Sequence, residues 1–279
     1  MIYEKFEGNS VSAHIENTDA KAPYTIIGAK AFLSCKNVYE IELPSSICEI
    51  RDWAFAHMKE LKRIVIPSNR ISLGKNVFLD CDNLQEICVF PDESNNDGLP
   101  YLLASCITIL KSYELLDFEM AATRNKQWCE NYDAELEKYI CQADDKNFQP
   151  VIVGWFNDEG EEEQLERYIE KVKEDKIKLC FLRLKFDAYI SGDIKEILLS
   201  YLRKCTENPN DSSWKIIKDV LSGDIQYAKL AVMNGLLSGD SILELIRYLN
   251  NKNASTEIVA YLVQSISDNN KSIDEQFEL

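Results

Sequence analysis

Apolar residues recur every 23 positions between residues 27 and 91. In three successive units the same phase holds a phenylalanine, at Phe32, Phe55 and Phe78. Five other apolar columns keep this spacing: Ile27, Ile50 and Leu73; Cys35, Met58 and Cys81; Val38, Leu61 and Leu84; Ile41, Ile64 and Ile87; Leu43, Ile66 and Val89. One such unit cannot bury its own apolar face, so its stability comes from stacking on its neighbours. The pattern therefore predicts a solenoid with a 23-residue period.

Each unit contains one segment in which apolar and polar residues alternate. In the first unit this segment is residues 38–44, where Ile41 and Leu43 face one side and Glu40 and Glu42 face the other. Such alternation is typical of a half-buried strand, and the proline that follows ends the strand because proline has no N–H. The returning arm before it predicts a short helical or turn segment that carries the phenylalanine into the core.

Stacked strands bring their outward-facing side chains into two columns. The first column is Glu40, Arg63 and Glu86, and the alternation of charge predicts a cross-strand ion-pair ladder worth roughly 0.2–1 kcal/mol per pair. The second column is Glu42, Val65 and Cys88. With one aromatic neighbour, the two columns form the predicted partner-binding surface: Tyr39, Glu40, Glu42, Arg63, Val65, Glu86 and Cys88.

The repeated pattern Ile-Gly-x-x-Ala-Phe-x-x-Cys-x-x-Leu-x-x-Ile-x-Leu-Pro-x-Ser resembles the BspA-type (Treponema pallidum-type) leucine-rich repeat, over about residues 24–91. The resemblance implies a right-handed solenoid of short strands that serves in adhesion or protein binding, and it implies no catalytic residues. Many members of the family are secreted or attached to the cell surface. This N-terminus lacks the basic and apolar segments of a signal peptide, so we expect a cytoplasmic protein.

After residue 101 the apolar period changes to about 3.6 residues, which predicts helices. Residues 161–174 and 176–190 are predicted to form a helical hairpin. The sequence Ser-Gly-Asp then recurs at 191–193, 222–224 and 238–240, and it indicates that one helix ends and the next begins. Asp193 with Glu196, and Ser241 with Glu244, each fit a capping box. Further helices are predicted at 193–204, 213–221, 225–237, 241–250 and 255–266.

The predicted fold class is α+β: a short leucine-rich-repeat solenoid followed by an all-α solenoid of helical hairpins. Two helical segments, which begin at Gly192 and Ala254, resemble the second helix of an ankyrin repeat, and HEAT-like or other hairpins stay open. The predicted domains are residues 1–91 (repeats, with a cap over 1–26), 92–100 (linker), 101–267 (helical domain) and 268–279 (polar tail).

The formal net charge of −16 is concentrated in the second part of the chain, because residues 92–279 hold 35 of the 47 acidic residues. An acidic surface repels phosphate backbones, so nucleic acid is not the expected partner. It suits a basic partner protein, and it suits solubility alone equally well. No run of apolar residues reaches the length of a membrane span, so no membrane association is expected.

The sequence contains few candidates for chemistry. Nine cysteines without a Cys-x-x-Cys motif, and two histidines (His14 and His57) without metal-ligand spacing, predict reduced thiols and no metal or cofactor. No phosphate-binding loop, dinucleotide fingerprint or hydrolase motif occurs. We therefore expect a non-enzymatic scaffold that binds another protein. Two alternatives stay open: an enzyme or small-molecule site around Trp128, Trp155 and Phe156, and an adhesive or structural role outside the cell.

Overall fold

The chain forms two compact units, which we call the repeat unit and the helical unit. The repeat unit comprises residues 1–136 and 186–190, and the helical unit comprises residues 137–185 and 191–279. In the computed structural model the described residues are 1–6, 12–15, 23–67, 71–90, 98–118, 121, 125–150, 160–208, 211–252 and 255–277. None of the helices among them is both long enough and apolar enough to span a bilayer.

The described residues of the repeat unit form two parallel sheets, each of four strands. The strands of sheet 1 are β1 (Ile2–Tyr3), β3 (Ile26–Ile27), β5 (Glu49–Ile50) and β7 (Ser72–Leu73). The strands of sheet 2 are β2 (Ser12–His14), β4 (Glu40–Glu42), β6 (Arg63–Pro67) and β8 (Glu86–Phe90). Because the chain alternates between the sheets, each circuit adds one strand to both. This arrangement confirms the predicted solenoid.

The register of sheet 2 confirms the predicted columns as neighbours. Glu40 pairs with Arg63 and Arg63 with Glu86, and the next column of the same face runs from Glu42 through Val65 to Cys88. Between these columns lies a row of fully buried isoleucines: Ile41, Ile64 and Ile87. The apolar face of each strand therefore points into the solenoid, and the charged face points away from it.

The phenylalanine column forms a continuous stack inside the repeat unit. The ring centroids of Phe32 and Phe55 lie 5.3 Å apart, and those of Phe55 and Phe78 lie 5.5 Å apart. Phe6 extends the stack at 5.0 Å from Phe32. The three repeat phenylalanines are fully buried, so they contribute both apolar burial and aromatic contact to every junction between units.

The returning arms are turn segments, which confirms one of the two forms predicted for them, and each also contains a short strand that was not predicted. Each arm begins with a two-residue strand of sheet 1 and continues as turns. In every unit two residues of the arm have positive φ and repeat with the 23-residue period: Lys30, Trp53 and Asn76; Ser34, His57 and Asp80. This backbone aims the N–H groups along the solenoid axis, so that Phe32 donates to the Ala54 carbonyl (2.7 Å) and Phe55 to the Val77 carbonyl (3.0 Å). A helix would use those N–H groups internally.

The described N-terminal residues extend both sheets, and the cap over residues 1–26 stays a prediction. β1 pairs with β3 and β2 pairs with β4, in the same parallel sense as the repeats that follow. The edge strand expected near His14 is therefore present as β2. At the other end of sheet 2, helix α1 (Leu99–Thr108) packs against β8.

The predicted linker, 92–100, is only partly described. Residues 91–97 lie outside the described residues, and Leu99 and Pro100 are the buried first residues of α1. The domain boundary at this position stays a prediction. Beyond α1 come a 3-10 turn (Tyr113–Leu115) and helix α2 (Lys126–Cys141).

After the end of α2, the described residues of the helical unit form six more helices: α3 (Glu161–Lys185), α4 (Gly192–Thr206), α5 (Ser212–Gly223), α6 (Ile225–Met233), α7 (Gly239–Asn251) and α8 (Thr256–Phe277). α3 packs against α4, α5 and α6. The unit is helical as predicted, whereas its resemblance to ankyrin repeats stays a prediction. α8 continues to Phe277, so most of the polar tail expected from residue 268 is helical.

The hairpin predicted near residue 175 is wrong, because α3 continues through that position. No glycine or proline interrupts it. The Lys171 ammonium lies 2.7 Å from an Asp175 carboxylate oxygen, and Lys178 pairs with Glu174. These i,i+4 pairs join the turns on either side of the expected break.

The Ser-Gly-Asp segments do mark helix starts, but the capping residue is usually the serine. The Ser191 hydroxyl accepts from the Ile194 N–H and the Ser238 hydroxyl from the Ser241 N–H, both at 3.2 Å. The capping boxes predicted for Asp193 and Ser241 are therefore wrong. Their glutamates form ion pairs instead, Glu196 with Arg203 and Glu244 with Lys218. At the middle segment, 222–224, Asp224 is the cap, as expected.

Gly74 provides a test of the close packing between units. A Cβ at this position would lie 2.5 Å from the backbone nitrogen of Asp52, a group that cannot move aside without shifting the preceding unit. We expect Gly74→Ala to lower the unfolding free energy of the repeat unit by about 1–3 kcal/mol, measured by urea denaturation. Arg51→Ala is the control: it lies at the same phase one unit earlier, already has a Cβ and is 42% exposed. Equal losses in the two variants would contradict this explanation.

Asp211 provides a pH test in the helical unit. This N-cap of α5 accepts hydrogen bonds from the Ser213 N–H (2.9 Å) and hydroxyl (3.0 Å). These bonds, the backbone one foremost, lower the pKa of Asp211 from 3.8 to about 2. A carboxylate with a lowered folded-state pKa stabilises the fold above its unfolded pKa, and this contribution is lost as the pH falls through the folded value.

We therefore expect wild type to lose stability between about pH 4 and pH 2 to a greater extent than Asp211→Asn, which keeps a cap acceptor but does not titrate. Urea midpoints across this range measure the difference. Asp211→Ala, which lacks the cap, should lose about 0.5–2 kcal/mol at neutral pH. Parallel pH profiles for wild type and Asp211→Asn would rule out the assignment.

Candidate functional site

The predicted partner-binding residues lie on and beside the outward face of sheet 2, which we call the strand face. Arg63 lies at its centre. Its guanidinium pairs with the carboxylate of Glu40 through Nη1, and its Nε lies 3.3 Å from Oε2 of Glu86. Since the three residues are in register on three strands, they form the ion-pair ladder that the alternating charges predict. The ladder fixes the position of one cation between two anions.

Cys88 is not an exposed part of the predicted surface, because only 5% of the residue is exposed. The thiol is short, and the longer side chains of Arg63 and Glu86 lie beside it; its Sγ is 3.8 Å from Glu86 Oε2. Burial is the main factor that raises the pKa of Cys88, so the thiol is neutral near pH 7. Cys88 therefore supports the ladder from beneath, and it offers no exposed contact.

The accessible part of the strand face combines acidic and apolar groups. Glu42 is exposed and Val65 is half-buried in the neighbouring strand. Tyr39, which directly precedes β4, is 37% exposed, and the Lys62 ammonium lies 5.6 Å from the centre of its ring. A partner on this face would meet one aliphatic and one aromatic side chain beside a row of charges.

The other candidate chemistry in the repeat unit belongs to the arms. His57 points outward, and its Nδ1 lies 2.9 Å from Oδ2 of Asp80 one unit later. The Cys81 thiol points inward to the Phe55 carbonyl (3.1 Å), and burial raises its pKa to about 12. Histidine and thiol therefore face opposite sides of the arm and do not form a Cys–His dyad.

The family comparison agrees with this geometry. A family model described as a BspA type leucine rich repeat region matches residues 9–111, in six copies. Residues 9–111 are a BspA-type leucine-rich-repeat region. The match extends the predicted span at both ends, in accordance with the N-terminal strands that continue the sheets. No curated protein and no solved structure matches the chain.

The BspA-type region contains no candidate metal site among its described residues, and the same is true of the described part of the helical unit. All nine cysteines fall in the described part of the chain, and each is a free thiol. Cys48 and Cys141 are the exposed ones. Outside the BspA-type region, the candidate chemistry lies in the helical unit.

A cavity of about 900 Å³ in the helical unit was not predicted. Its walls are the end of α2 with the loop that follows, α3 and α4, and its lining includes Lys176, Asp144, Tyr201, Ser200 and Lys204. Lys176 is 1% exposed, and its Nζ donates to Asp144 Oδ1 (2.7 Å) and to the Gln142 carbonyl (2.5 Å). The buried charge is thus paired and hydrogen-bonded, as a buried cation requires.

Two aromatic rings complete the surroundings of Lys176. The Nζ lies 5.8 Å from the ring centres of both Tyr139 and Tyr201. Burial is the main cause that raises the pKa of each tyrosine, so both are neutral phenols. The cavity therefore offers aromatic faces and hydrogen-bonding groups to a ligand, whereas the buried ammonium of Lys176 is already paired with Asp144.

The predicted alternative site near Trp128 has a different character. Trp128 is a core residue, 2% exposed, and its indole N–H donates to the Leu115 carbonyl at 2.8 Å. Trp155 and Phe156 lie outside the described residues. A sequence signal for the observed cavity did exist: Lys176 lies on the same helix face as buried Cys180 and Arg183, and a lysine on a buried stripe requires a partner.

Proposed function

We propose that this protein is a non-enzymatic scaffold that binds another protein through the strand face of its BspA-type region. The observation that carries the proposal is the ladder centred on Arg63, with Val65, Glu42 and Tyr39 accessible beside it. Stacked strands hold such side chains about 4.8 Å apart on a rigid backbone. The repeat family suggests protein interaction or adhesion and supplies no catalytic residues.

The charges of the strand face indicate the chemistry of the partner. Two carboxylates, those of Glu40 and Glu86, flank the guanidinium of Arg63, and Glu42 adds a third carboxylate in the neighbouring column. With a chain charge of −16, a basic partner surface is favoured, since complementary charge speeds association and selects partners. The same charge disfavours nucleic acid. We place this interaction in the cytoplasm, which the nine free thiols support.

The strand face can be tested by site-specific photocrosslinking in lysate from the native host. A photoreactive phenylalanine analogue replaces Val65 in one variant and Leu33, an exposed residue of an arm, in the control. We expect a discrete adduct with one protein from position 65 and none from position 33. Glu42→Arg should reduce that adduct by at least about tenfold, which corresponds to 1.4 kcal/mol. Equal adducts at both positions, or an adduct insensitive to Glu42→Arg, would count against the proposal.

A small-molecule site in the helical unit is the second candidate function, and the cavity beside Lys176 favours it. A volume of about 900 Å³ is in the range of known ligand pockets. A ligand at 100 times its Kd stabilises a protein by about 2.7 kcal/mol, so a metabolite screen by thermal shift can detect it.

We expect a binding metabolite to raise the Tm of wild type and not that of Ser200→Trp, which fills the cavity from an exposed position. Lys195→Trp, an exposed residue of the same helix that does not line the cavity, should respond like wild type. A library without a stabilising compound, or a compound that stabilises Ser200→Trp equally, would exclude this second function.

A further inference from the structure

Within the described part of the chain, the last repeat unit ends in backbone N–H groups that have no hydrogen-bond acceptor. In the earlier units these groups are used: the Phe32 N–H donates to Ala54 and the Phe55 N–H to Val77, each in the next unit. The equivalent N–H groups of the last unit belong to Asn76, Phe78 and Asp80. None of the three has a hydrogen-bond acceptor within the described part of the chain.

Backbone carbonyls at the same edge also accept no hydrogen bond from any described residue. The carbonyls of Cys48 and Ile50 accept from Ser72 (2.9 Å) and Gly74 (2.7 Å) of the following unit. Ile71 and Leu73 occupy the equivalent positions one unit later, and among the described residues nothing donates to their carbonyls. Among the described residues β7 is the last strand of sheet 1, so its outer edge has both N–H groups and carbonyls that no described residue pairs with.

A groove lies along this edge. It consists of two adjoining cavities of about 680 Å³ and about 400 Å³, which share Leu73, Tyr113, Glu114 and Leu116 in their lining. One wall is Cys48 with residues 71–78, and the other is formed by residues of the segment 113–118. We call it the end groove. It occupies the place where a further unit would add its strand to sheet 1, whereas α1 packs against the last strand of sheet 2.

The side chains of the end groove are acidic and apolar. Among the described residues, the larger cavity is lined by the carboxylates of Glu114 and Asp117 and by no cationic side chain. Leu73, Leu116 and Phe118 supply apolar wall. At the other end, Lys75 lines the smaller cavity. The negative charge is thus greatest beside the exposed backbone of β7.

The surroundings of Tyr113, which lines both cavities, are also acidic. Burial raises its pKa, and so do Cys81, Asp80 and Asp82 nearby. The phenol is 36% exposed and stays protonated near pH 7. It is therefore available as a hydrogen-bond donor and as an aromatic surface for a cationic side chain.

We infer that the end groove binds an extended, basic segment of a partner protein, whose backbone adds a strand to β7. Strand addition at a sheet edge uses main-chain hydrogen bonds for affinity and pockets for alternate side chains for selectivity. Here the carboxylates of Glu114 and Asp117 select lysine or arginine, and Leu73 and Leu116 accept the apolar residues between them. This site is separate from the strand face, so either can fail without the other.

The probe is a fluorescein-labelled octapeptide of alternating lysine and valine with blocked ends, and binding to the full chain is followed by fluorescence anisotropy. An added strand bonds to the edge through every second N–H only, because the others point away from it. Two N-methylated peptides separate these sets, one methylated at every lysine nitrogen and one at every valine nitrogen. We expect one of them to bind at least about tenfold more weakly and the other to bind like the parent.

Matched charge variants locate the site. Glu114 is exposed, so Glu114→Lys should fold normally and weaken the peptide by at least about tenfold, while Glu114→Gln should have a smaller effect. Glu42→Arg on the strand face should leave this affinity unchanged. Loss with Glu42→Arg and retention with Glu114→Lys would overturn the inference and assign the peptide to the strand face. A glutamate–valine octapeptide should not bind.

A second readout needs no variant. Cys48 is exposed and lines the larger cavity, and Cys141, exposed in the helical unit, is an internal control. The lysine–valine peptide should slow alkylation of Cys48 by iodoacetamide, measured by mass spectrometry, and leave that of Cys141 unchanged. Absence of binding, binding that ignores both N-methyl patterns, or equal alkylation of Cys48 with and without bound peptide would each refute strand addition at β7.

Discussion

The ladder of backbone hydrogen bonds between the arms is the constraint on which the repeat unit depends. N–H groups such as that of Phe32 reach a carbonyl of the next unit because Lys30 and Ser34 on either side adopt positive φ. Such a conformation costs a non-glycine residue roughly 1–2 kcal/mol. The bonds to the next unit and the phenylalanine stack offset this cost, and neither exists in an isolated unit. Cooperation between neighbours is therefore a property of the arms as well as of the sheets.

The sequence allowed the prediction of features that repeat and of few that do not. The phenylalanine column and the strand registers follow from identical spacing in three units, which leaves only one consistent alignment. The strands of sheet 1 are two residues long, too short for an alternating pattern to reveal. Cys88 has an outward phase but is buried, because the size of Arg63 and Glu86 decides its exposure. α3 continues through the expected break for two reasons. No glycine or proline interrupts the polar stretch there, and i,i+4 ion pairs connect the turns on either side of it.

The candidate sites also differ in how far the sequence allows their prediction. The strand face could be predicted because register alone brings Glu40, Arg63 and Glu86 together. The cavity beside Lys176 depends on Asp144, which lies 32 residues away along the chain, and packing rather than periodicity determines such a contact. The end groove is less visible still, since it results from a strand that the described chain does not add to sheet 1. Only a structure shows which backbone groups have found partners.

The matching ends of successive units have a consequence for the history of the chain. Gly28, Arg51 and Gly74 occupy the same position in three successive units. A side chain is therefore possible at this position where the backbone of the preceding unit is not in close contact with it, as at Arg51, whereas Gly28 and Gly74 have such contacts. A unit that lies between two others forms the same pattern of backbone hydrogen bonds with the unit before it and with the unit after it. A gene duplication of 23 codons would therefore lengthen the solenoid without disturbing either junction. Ser34 and His57 contribute only backbone groups to these hydrogen bonds. Their side chains, like that of Asp80 at the same position, point outward, so copies of one unit can diverge in surface chemistry while the backbone stays the same.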